Sequence, residues 1–438
     1  MSEPVLVDWA VSRWWDDPYS RGGWSLLRVG GSPETRRALG RPINDRVIIA
    51  GEATHPEQAG MTHGAFEEGQ RAARWCLDQG HRRVLVVGSG AAGLGAARLM
   101  ADNGIEVIVL EARDRIGGRI HSVTLKGATA EDPGDPGDSD DSITVELGAN
   151  WLQQGARNSL APIAASAGLR LVDTDFGDSL DFGPIGVVSA LRSDELSDEL
   201  RRRMVSVDRE VEGEDRSIAS VISEWIERPE PWSAVEIAAV VDAEIYLDSG
   251  APLDDLSARF GFEPGVGEGD LWIVGGYRQI LDVLAADIDI RCDWPVGSVT
   301  VTDDSVTIAG SRGRIAAGAV IVTIPAAVLA AGALAFEPLL PRTHRDALAQ
   351  LTVGRVEKVA LRFDRRWWPA SKSGYLRIFD DRPGCVAEFL DITEATGVPA
   401  IVGLFVGSWV ADMWDDRSDA EIAESVCRLL ALATSAAQ

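Results

Sequence analysis

The sequence predicts an α/β fold, partly α+β: a Rossmann-like nucleotide-binding domain joined to a second domain of mixed sheet and helices. Three observations predict it. A β-branched run at residues 84–88 (VLVVG) leads through a glycine-rich helical stretch to a second apolar run at residues 105–111 (IEVIVLE), the pattern of a buried βαβ unit. Residues 271–336 return to strand-and-turn character, with another apolar run at 319–325 (AVIVTIP). The 438 residues are too many for one ordinary core and enough for two or three domains of roughly 100–200 residues each.

Each element has its own reason. In SGAAGLGAARLMADNG, Leu94, Ala97 and Ala101 share one helical face and Gly104 supplies the stop. The unit carries Gly88-x-Gly90-x-x-Gly93, and its second strand ends in Glu111, 18 residues beyond Gly93. The glycines permit a tight turn and close approach of backbone to a pyrophosphate, and the helix N-terminus offers N–H groups and partial positive charge. The terminal acid accepts hydrogen bonds from a ribose. Strand, helix, strand and acid in register make this far more specific than the glycines alone. Residues 127–142 are acidic and broken by Pro and Gly; prolines interrupt any calcium-ligand spacing and no glutamate closes the loop, so the run reads as solvated. Residues 193–227 form a polar, charge-dense helical stretch, read as a solvated face. SVTVTDDSVTIAG reads as a hairpin, residues 319–325 as a buried strand, and residues 356–364 (VEKVALRFD) alternate like a half-buried strand that puts Lys358 and Ala360 on one face.

Composition excludes several classes. Hydrophobic residues at 45% and charged ones at 25% are ordinary globular values. Forty-two basic residues against 68 acidic ones give −26, a surface that repels phosphate backbones and anionic lipid, so neither nucleic acid nor membrane is an expected partner. No apolar run approaches the roughly 18 residues of a membrane span and no secretory leader is visible, so the expected location is cytoplasmic. Cys76, Cys292, Cys385 and Cys427 are widely spaced without a CxxC pair, so no disulfide framework or metal site is indicated. None of the five histidines stands in a triad or a metal-like spacing, and no Walker loop occurs, which leaves the chemistry to a bound cofactor. Only Lys126, Lys358 and Lys372 are lysine, so a lysine inside an apolar strand stands out.

After Glu111 the chain continues Ala112-Arg113-Asp114-Arg115-Ile116-Gly117-Gly118-Arg119. This resembles the extension that follows the dinucleotide fold in the flavin-containing amine oxidases. Four further blocks resemble the same family: residues 146–151 (ELGANW), 322–325 (VTIP), the strand around Gly354 to Lys358, and Trp14-x-x-Asp17-Pro18-Tyr19-Ser20-Arg21-Gly22. A last one is residues 50–54 (AGEAT) followed by 60–66 (GMTHGAF). In the family the last two blocks close the chain, whereas here they precede the nucleotide-binding strand. The end of this sequence, SDAEIAESVCRLLALATSAAQ, resembles the helix that the family places just before the Trp14 block. The resemblance therefore implies a monoamine oxidase-like fold in circularly permuted order, with residues 79–82 as a short new connector. A fusion of two gene fragments is the rival account; the single complete set of blocks argues against it. The implied division is a FAD-binding domain over residues 1–155 continued by 271–336, and a substrate domain over 156–270 and 337–438.

The resemblance also assigns residues. Gly88, Gly90, Ala92 and Gly93 take the pyrophosphate of FAD, Glu111 its ribose, and Arg113, Gly118 and Arg119 lie along the phosphates, where a planar guanidinium suits a diphosphate. Gly148, Asn150, Trp151, Met61 and Thr62 run beside the flavin ring, Val296 beside the adenine, and Glu52 beside the ribityl-pyrophosphate stretch. Lys358 matches the lysine that holds a water near flavin N5 and assists reoxidation by dioxygen; a desolvated cation there stabilises developing negative oxygen. Trp24 and Met61 fall where the family has an aromatic pair flanking the substrate amine, a cage only half made here.

Two departures matter. Gly23 stands where some relatives attach flavin through cysteine, so FAD is expected to be held non-covalently. Gln153 replaces a histidine seen in many polyamine oxidases, which argues against a polyamine substrate. His63 reads as structural. The expected activity is hydride transfer from the carbon α to an amine to flavin N5, giving an imine, then a carbonyl product, with dioxygen reduced to hydrogen peroxide. Alternatives are an amino-acid oxidase, for which Arg157 is the one nearby candidate to grip a carboxylate, a biosynthetic flavin desaturase, or a catalytically silent FAD-binding scaffold. Histone demethylation is disfavoured by the acidic balance and the lack of a long helical insertion. A homodimer is compatible with all of these.

Overall fold

The structure is a computed structural model and describes residues 3–127, 141–174, 179–183, 186–187, 194–209, 214–261 and 269–435. The βαβ unit forms as expected. Strand Arg83–Val87, helix Ala91–Asp102 and strand Glu106–Leu110 follow one another, and Gly104 adopts the left-handed conformation (φ +73°) that ends the helix. These strands sit in a five-stranded parallel sheet in the order Asp289–Arg291, Glu106–Leu110, Arg83–Val87, Ala319–Val322, Val47–Ile49. Both faces of the sheet are covered, which is why its strands read as continuous apolar runs. Val84, Val86, Val109 and Ile321 pack with Ala72, Ala73, Cys76 and Ala97 of two helices into one fully buried cluster. Each large aliphatic there contributes about 1.5–3 kcal/mol by leaving water.

Residues 47–78 are built into this layer. Val47–Ile49 is the edge strand beside Ala319–Val322, and helix Thr62–Asp78 runs against helix Ala91–Asp102. The contact is close because Gly69 has no side chain: a Cβ there would run into the Ala92 carbonyl oxygen. After Asp78, Gly80 (φ +73°) turns the chain directly into strand Arg83–Val87.

A seven-stranded sheet forms the second layer, in the order Leu6–Val11, Val356–Phe363, Ala400–Val406, Val386–Asp391, Tyr375–Phe379, Ser179–Gly183, Gly186–Val187. The Lys358 strand lies inside it. The expectation of a half-buried strand is corrected here, since all eight residues of Val356–Phe363 are buried. The alternation is real but both faces are covered. Val359, Leu361 and Phe363 pack on Trp409, Trp414, Ile422 and Val426, while Ala360 shares the opposite face with Tyr375, Leu390 and Val402. Helix Asp419–Ser435 lies beside strand Leu6–Val11, and Arg13 bonds Asp419 at 2.7 Å.

One other reading changes. The stretch 193–227 holds two helices, Asp194–Arg209 and Ile218–Glu227, with a buried side made by Leu196, Leu200, Met204, Val221 and Trp225, so it is not a merely solvated face. The hairpin is present as Val296–Val301 against Val306–Gly310. Most of the acidic loop 127–142 lies outside the described residues.

Candidate active site

A cavity of about 750 Å³ runs from the βαβ turn to the face of the seven-stranded sheet. At one end, the glycines do what the pattern requires. Gly88 has φ +103°, open to glycine and strained for other residues. Gly90 caps helix Ala91–Asp102 with no side chain to satisfy the first-turn N–H groups, and only the Gly117 carbonyl, at 3.7 Å, lies near the place its Cβ would occupy. Gly118 faces Gly90 across the same gap. Gly88, Gly90, Ala92 and Gly118 therefore form a backbone-lined cradle at a helix N-terminus, which fits a diphosphate. Gly93 is placed differently from its neighbours: it is not on the wall but behind it, where a Cβ would collide with the Gly88 carbonyl oxygen.

Glu111 follows the second strand, buried, and lines the cavity. It accepts hydrogen bonds from Ser89 N (2.9 Å), Ser89 Oγ (2.6 Å) and Arg113 N (2.9 Å), which fix it at the mouth of the turn. Arg113 and Arg119 reach the cavity while already paired. Arg113 Nη2 lies 2.6 Å from Asp17 and 2.8 Å from Ser20 Oγ, and Arg119 Nη1 donates to Gly23 O at 2.6 Å and Glu52 at 3.1 Å. Burial pushes the Glu52 carboxyl up, but Arg119, Ser25, Arg36 and the Gly60 N–H together outweigh it and hold the group below the usual carboxylate range. An ionised carboxylate stays at this wall. Val296 lines the cavity as the first residue of its strand.

At the other end, Gly148, Asn150, Trp151, Met61, Thr62, Trp24 and Lys358 converge. Lys358 is 6% exposed; its Nζ donates to the Gly148 carbonyl at 2.7 Å and lies 5.1 Å from the centre of the Trp151 ring. Burial lowers its pKa to about 8, opposed by the charges of Glu146 and Glu388. Trp24 packs on Gly60, beside Met61, and anchors through Nε1 to Asp248 O at 3.0 Å. Gln153 and Gly23 are also on the wall. Gly23 is not there for space, since a Cβ would sit 3.4 Å from Val356. No cysteine is among the described residues of this wall.

Several wall residues carry no sequence motif. Glu244 and Asp248 come from the helical segment after Val241, and Arg377 and Glu388 from two antiparallel strands. Arg377 Nε bonds Glu388 at 2.6 Å, both side chains being buried. Asp248 opens to the cavity yet is surrounded by protein; burial pushes its carboxyl up to about 8, reinforced by Glu244, Glu388 and Asp270. Arg157, the candidate carboxylate grip of the amino-acid oxidase alternative, is exposed and is not on the wall. Among the described residues, the arginines that do reach the cavity each face an acid: Arg113 with Asp17, Arg119 with Glu52, Arg201 with Glu244 and Arg377 with Glu388.

A parallel sheet carrying a dinucleotide cradle, with a lysine and tryptophan closing the far end of one continuous cavity, defines a flavin-dependent oxidoreductase. The chain belongs to the flavin-containing amine oxidoreductase family, which it matches over residues 3–77 and 91–436. It is 30% identical over 366 residues to a probable polyamine oxidase 4 of Arabidopsis thaliana, covering 75% of this chain and 67% of that protein. It is 26% identical to the human lysine-specific histone demethylase 2 over 77% of this chain, but only 42% of that larger protein. In fold it is similar to cyclohexylamine oxidase from Brevibacterium oxydans (TM-score 0.61, 23% identity, 82% of this chain and 83% of that one). A putrescine oxidase bound to putrescine is comparable (TM-score 0.60, 20% identity, 81% of each). The family and the fold agree with the reading from the residues, and the reaction class is oxidation at a CH–NH or CH–NH2 group.

Proposed function

We propose that this chain oxidises a small-molecule amine, with FAD held non-covalently along the cavity and dioxygen as the final electron acceptor. The observation that carries it is Lys358: a buried ammonium bonded to Gly148 and set over Trp151, at the end of the cavity opposite the glycine cradle. When bound, FAD supplies the acceptor for a hydride leaving the carbon α to the amine, and dioxygen then removes the two electrons as hydrogen peroxide. The chain's residues do the rest. Gly88, Gly90, Ala92 and Gly118 present backbone to the pyrophosphate; Arg113 and Arg119, oriented by Asp17 and Glu52, add positive charge without moving. Glu111 presents a carboxylate to the ribose and Val296 an apolar edge to the adenine. Trp24, Met61, Thr62, Asn150 and Trp151 exclude water from the reacting end and orient the substrate.

The wall chemistry favours an amine over an amino acid. A substrate carboxylate would need a guanidinium that is not already paired, and the cavity's arginines face Asp17, Glu52, Glu244 and Glu388. Asp248 offers the opposite: a carboxyl without a basic neighbour among the charges that act on it, which an entering ammonium would restore to its ionised form. An amine carrying a positive charge away from the reacting carbon suits this wall, Gln153 notwithstanding. Anaerobic mixing with a panel of mono-, di- and polyamines and of amino acids, followed by flavin bleaching and peroxide on readmitting air, tests the reading. A yellow protein bleached by none of them would be a silent FAD scaffold.

The order of blocks supports a circular permutation. Residues 3–77 supply Glu52, Met61 and Thr62 to the same cavity as residues 88–151, through a connector of four residues after Asp78. We also read residues 1–155 with 271–336 as the cofactor domain and 156–270 with 337–438 as the substrate domain. A cytoplasmic site of action fits the four unpaired cysteines; among the described residues no helix is long and apolar enough to cross a membrane.

A further inference from the structure

Behind Lys358, the seven-stranded sheet carries charges where its interior would ordinarily be apolar. Register places Lys358 opposite Leu404, Leu404 opposite Glu388, Glu388 opposite Arg377, and Arg377 opposite Asp181. Residues directly opposite on neighbouring strands point to the same face, so these five form one row across five strands. Lys358, Glu388, Arg377 and Asp181 are all 7% exposed or less, and their signs alternate along the row. Arg377 is pinned between Glu388 at 2.6 Å and Ser179 Oγ at 3.3 Å, and Ser179 in turn donates to Asp181 at 2.6 Å.

Between Lys358 and Glu388 the row is not closed by direct contact. A chamber of about 10 Å³ lies there, bounded by Lys358, Glu388, Leu404, Tyr375, Asn150 and Trp151. That is about the size of one water, and the walls offer it two or more polar partners. Lys358 spends one of its three N–H donors on Gly148, which leaves donors for such a water. We propose, on the reading of Lys358 given above, that Glu388 is a positioning residue that reaches Lys358 through a water in this chamber and holds it as an ammonium facing the cavity, with Arg377 setting how much of the Glu388 charge Lys358 feels. Glu146, from strand Ile143–Glu146, is the other acid acting on Lys358 and the stronger of the two. Glu146 accepts from Ser122 Oγ and the Tyr277 N–H through Oε1 and is not on the chamber wall, whereas Glu388 is on that wall and is shared with Arg377, so Glu388 is the adjustable partner.

The chain's three lysines make the test direct. Selective labelling at lysine Cε gives three signals, two of them from the exposed Lys126 and Lys372, so the titration of Lys358 can be followed by NMR in the holoenzyme. Glu388→Gln should lower the Lys358 midpoint by roughly one pH unit or more, and Arg377→Met, which leaves the Glu388 charge unshared, should raise it. A structural role alone would move neither midpoint, or both in the same sense. An unchanged midpoint in both variants, or shifts of one sign, overturns the inference. Should Glu388→Gln fail to fold, Arg377→Met still decides by the sign of its shift. The two readings separate cleanly: if Lys358→Met leaves reoxidation intact while the midpoints move as stated, the role of Lys358 at dioxygen fails and the positioning by Glu388 stands.

Discussion

Lys358 gives the most quantitative prediction. Its ammonium is a buried cation at the reacting end, and burial lowers its pKa to about 8, so its charged fraction falls as the pH rises through that region. If the charged form stabilises negative oxygen as dioxygen is reduced, the reoxidation rate must follow that fraction. It is highest below about 8 and falls as the pH rises above that, because raising the pH removes the proton that carries the effect. Lys358→Met removes the cation at every pH; the loss of one preorganised contact costs about 10²–10³ in rate, and the pH dependence should flatten. Photoreduced holoenzyme mixed with oxygenated buffer in a stopped-flow instrument measures this with no amine present, so substrate ionisation does not enter. A Lys358→Met rate within about twofold of wild type removes Lys358 from this step.

Acid or heat should release the flavin into the supernatant as free FAD, because Gly23 and its neighbours on the wall offer no thiol; flavin that precipitates with the chain would refute this. Gly93→Ala forces the helix away from the Gly88 carbonyl, so unfolding in urea should show a loss of about 1–3 kcal/mol and FAD affinity should fall about tenfold or more; an unchanged Kd for FAD would mean that the Gly88 turn does not hold the pyrophosphate. Asp248→Asn should raise KM for an amine substrate while leaving reoxidation by dioxygen as it is, and equal losses in both half-reactions would argue for a general disturbance of the cavity instead. Moving residues 3–78 to follow residue 435 should give a folded, FAD-bound chain in the family's usual block order, since loop length enters the closure entropy only logarithmically; a soluble product unable to bind FAD would count against the permutation.

What the sequence made legible were features governed by local geometry. The βαβ unit was readable because glycine spacing, a helix stop and a terminal acid each have one physical meaning at that position. Lys358 was readable as unusual because lysine is so rare in this chain. Its burial was not, since alternation in VEKVALRFD speaks only for one covered face, and the cover over the Lys358 and Ala360 face comes from Val145, Leu147, Trp272 and their neighbours, remote in sequence. Arg113 and Arg119 were placed along a phosphate by type; that they are first held by Asp17 and Glu52 depends on contacts across about a hundred or fewer residues, which no local pattern records. Glu388 and Arg377 went unseen for a related reason. In YLRIF and VAEFLD a charge at mid-strand reads as the solvent face of a strand, and only the register between the strands reveals a buried pair. Arg157 shows the converse error, a suitable residue close in sequence to the ELGANW block but pointing to solvent.

The leading block and the nucleotide-binding block are thus joined by more than a shared cavity. Arg113 is oriented by Asp17 and Ser20, Arg119 by Gly23 and Glu52, and Trp14 Nε1 donates to Leu147 O at 2.8 Å, immediately before Gly148. Gly148 in turn holds Lys358. Arg113 and Arg119 are therefore each positioned by residues from the other block, while Glu111 is held by Ser89 and Arg113 within its own. Arg113 and Arg119 are partly shielded from water, so their pairs are favoured when both blocks are folded together. Block order along the chain is then of little consequence to the site, because what the pairs require is that both blocks be present and close, and the four residues after Asp78 keep them adjacent as effectively as a long crossover would.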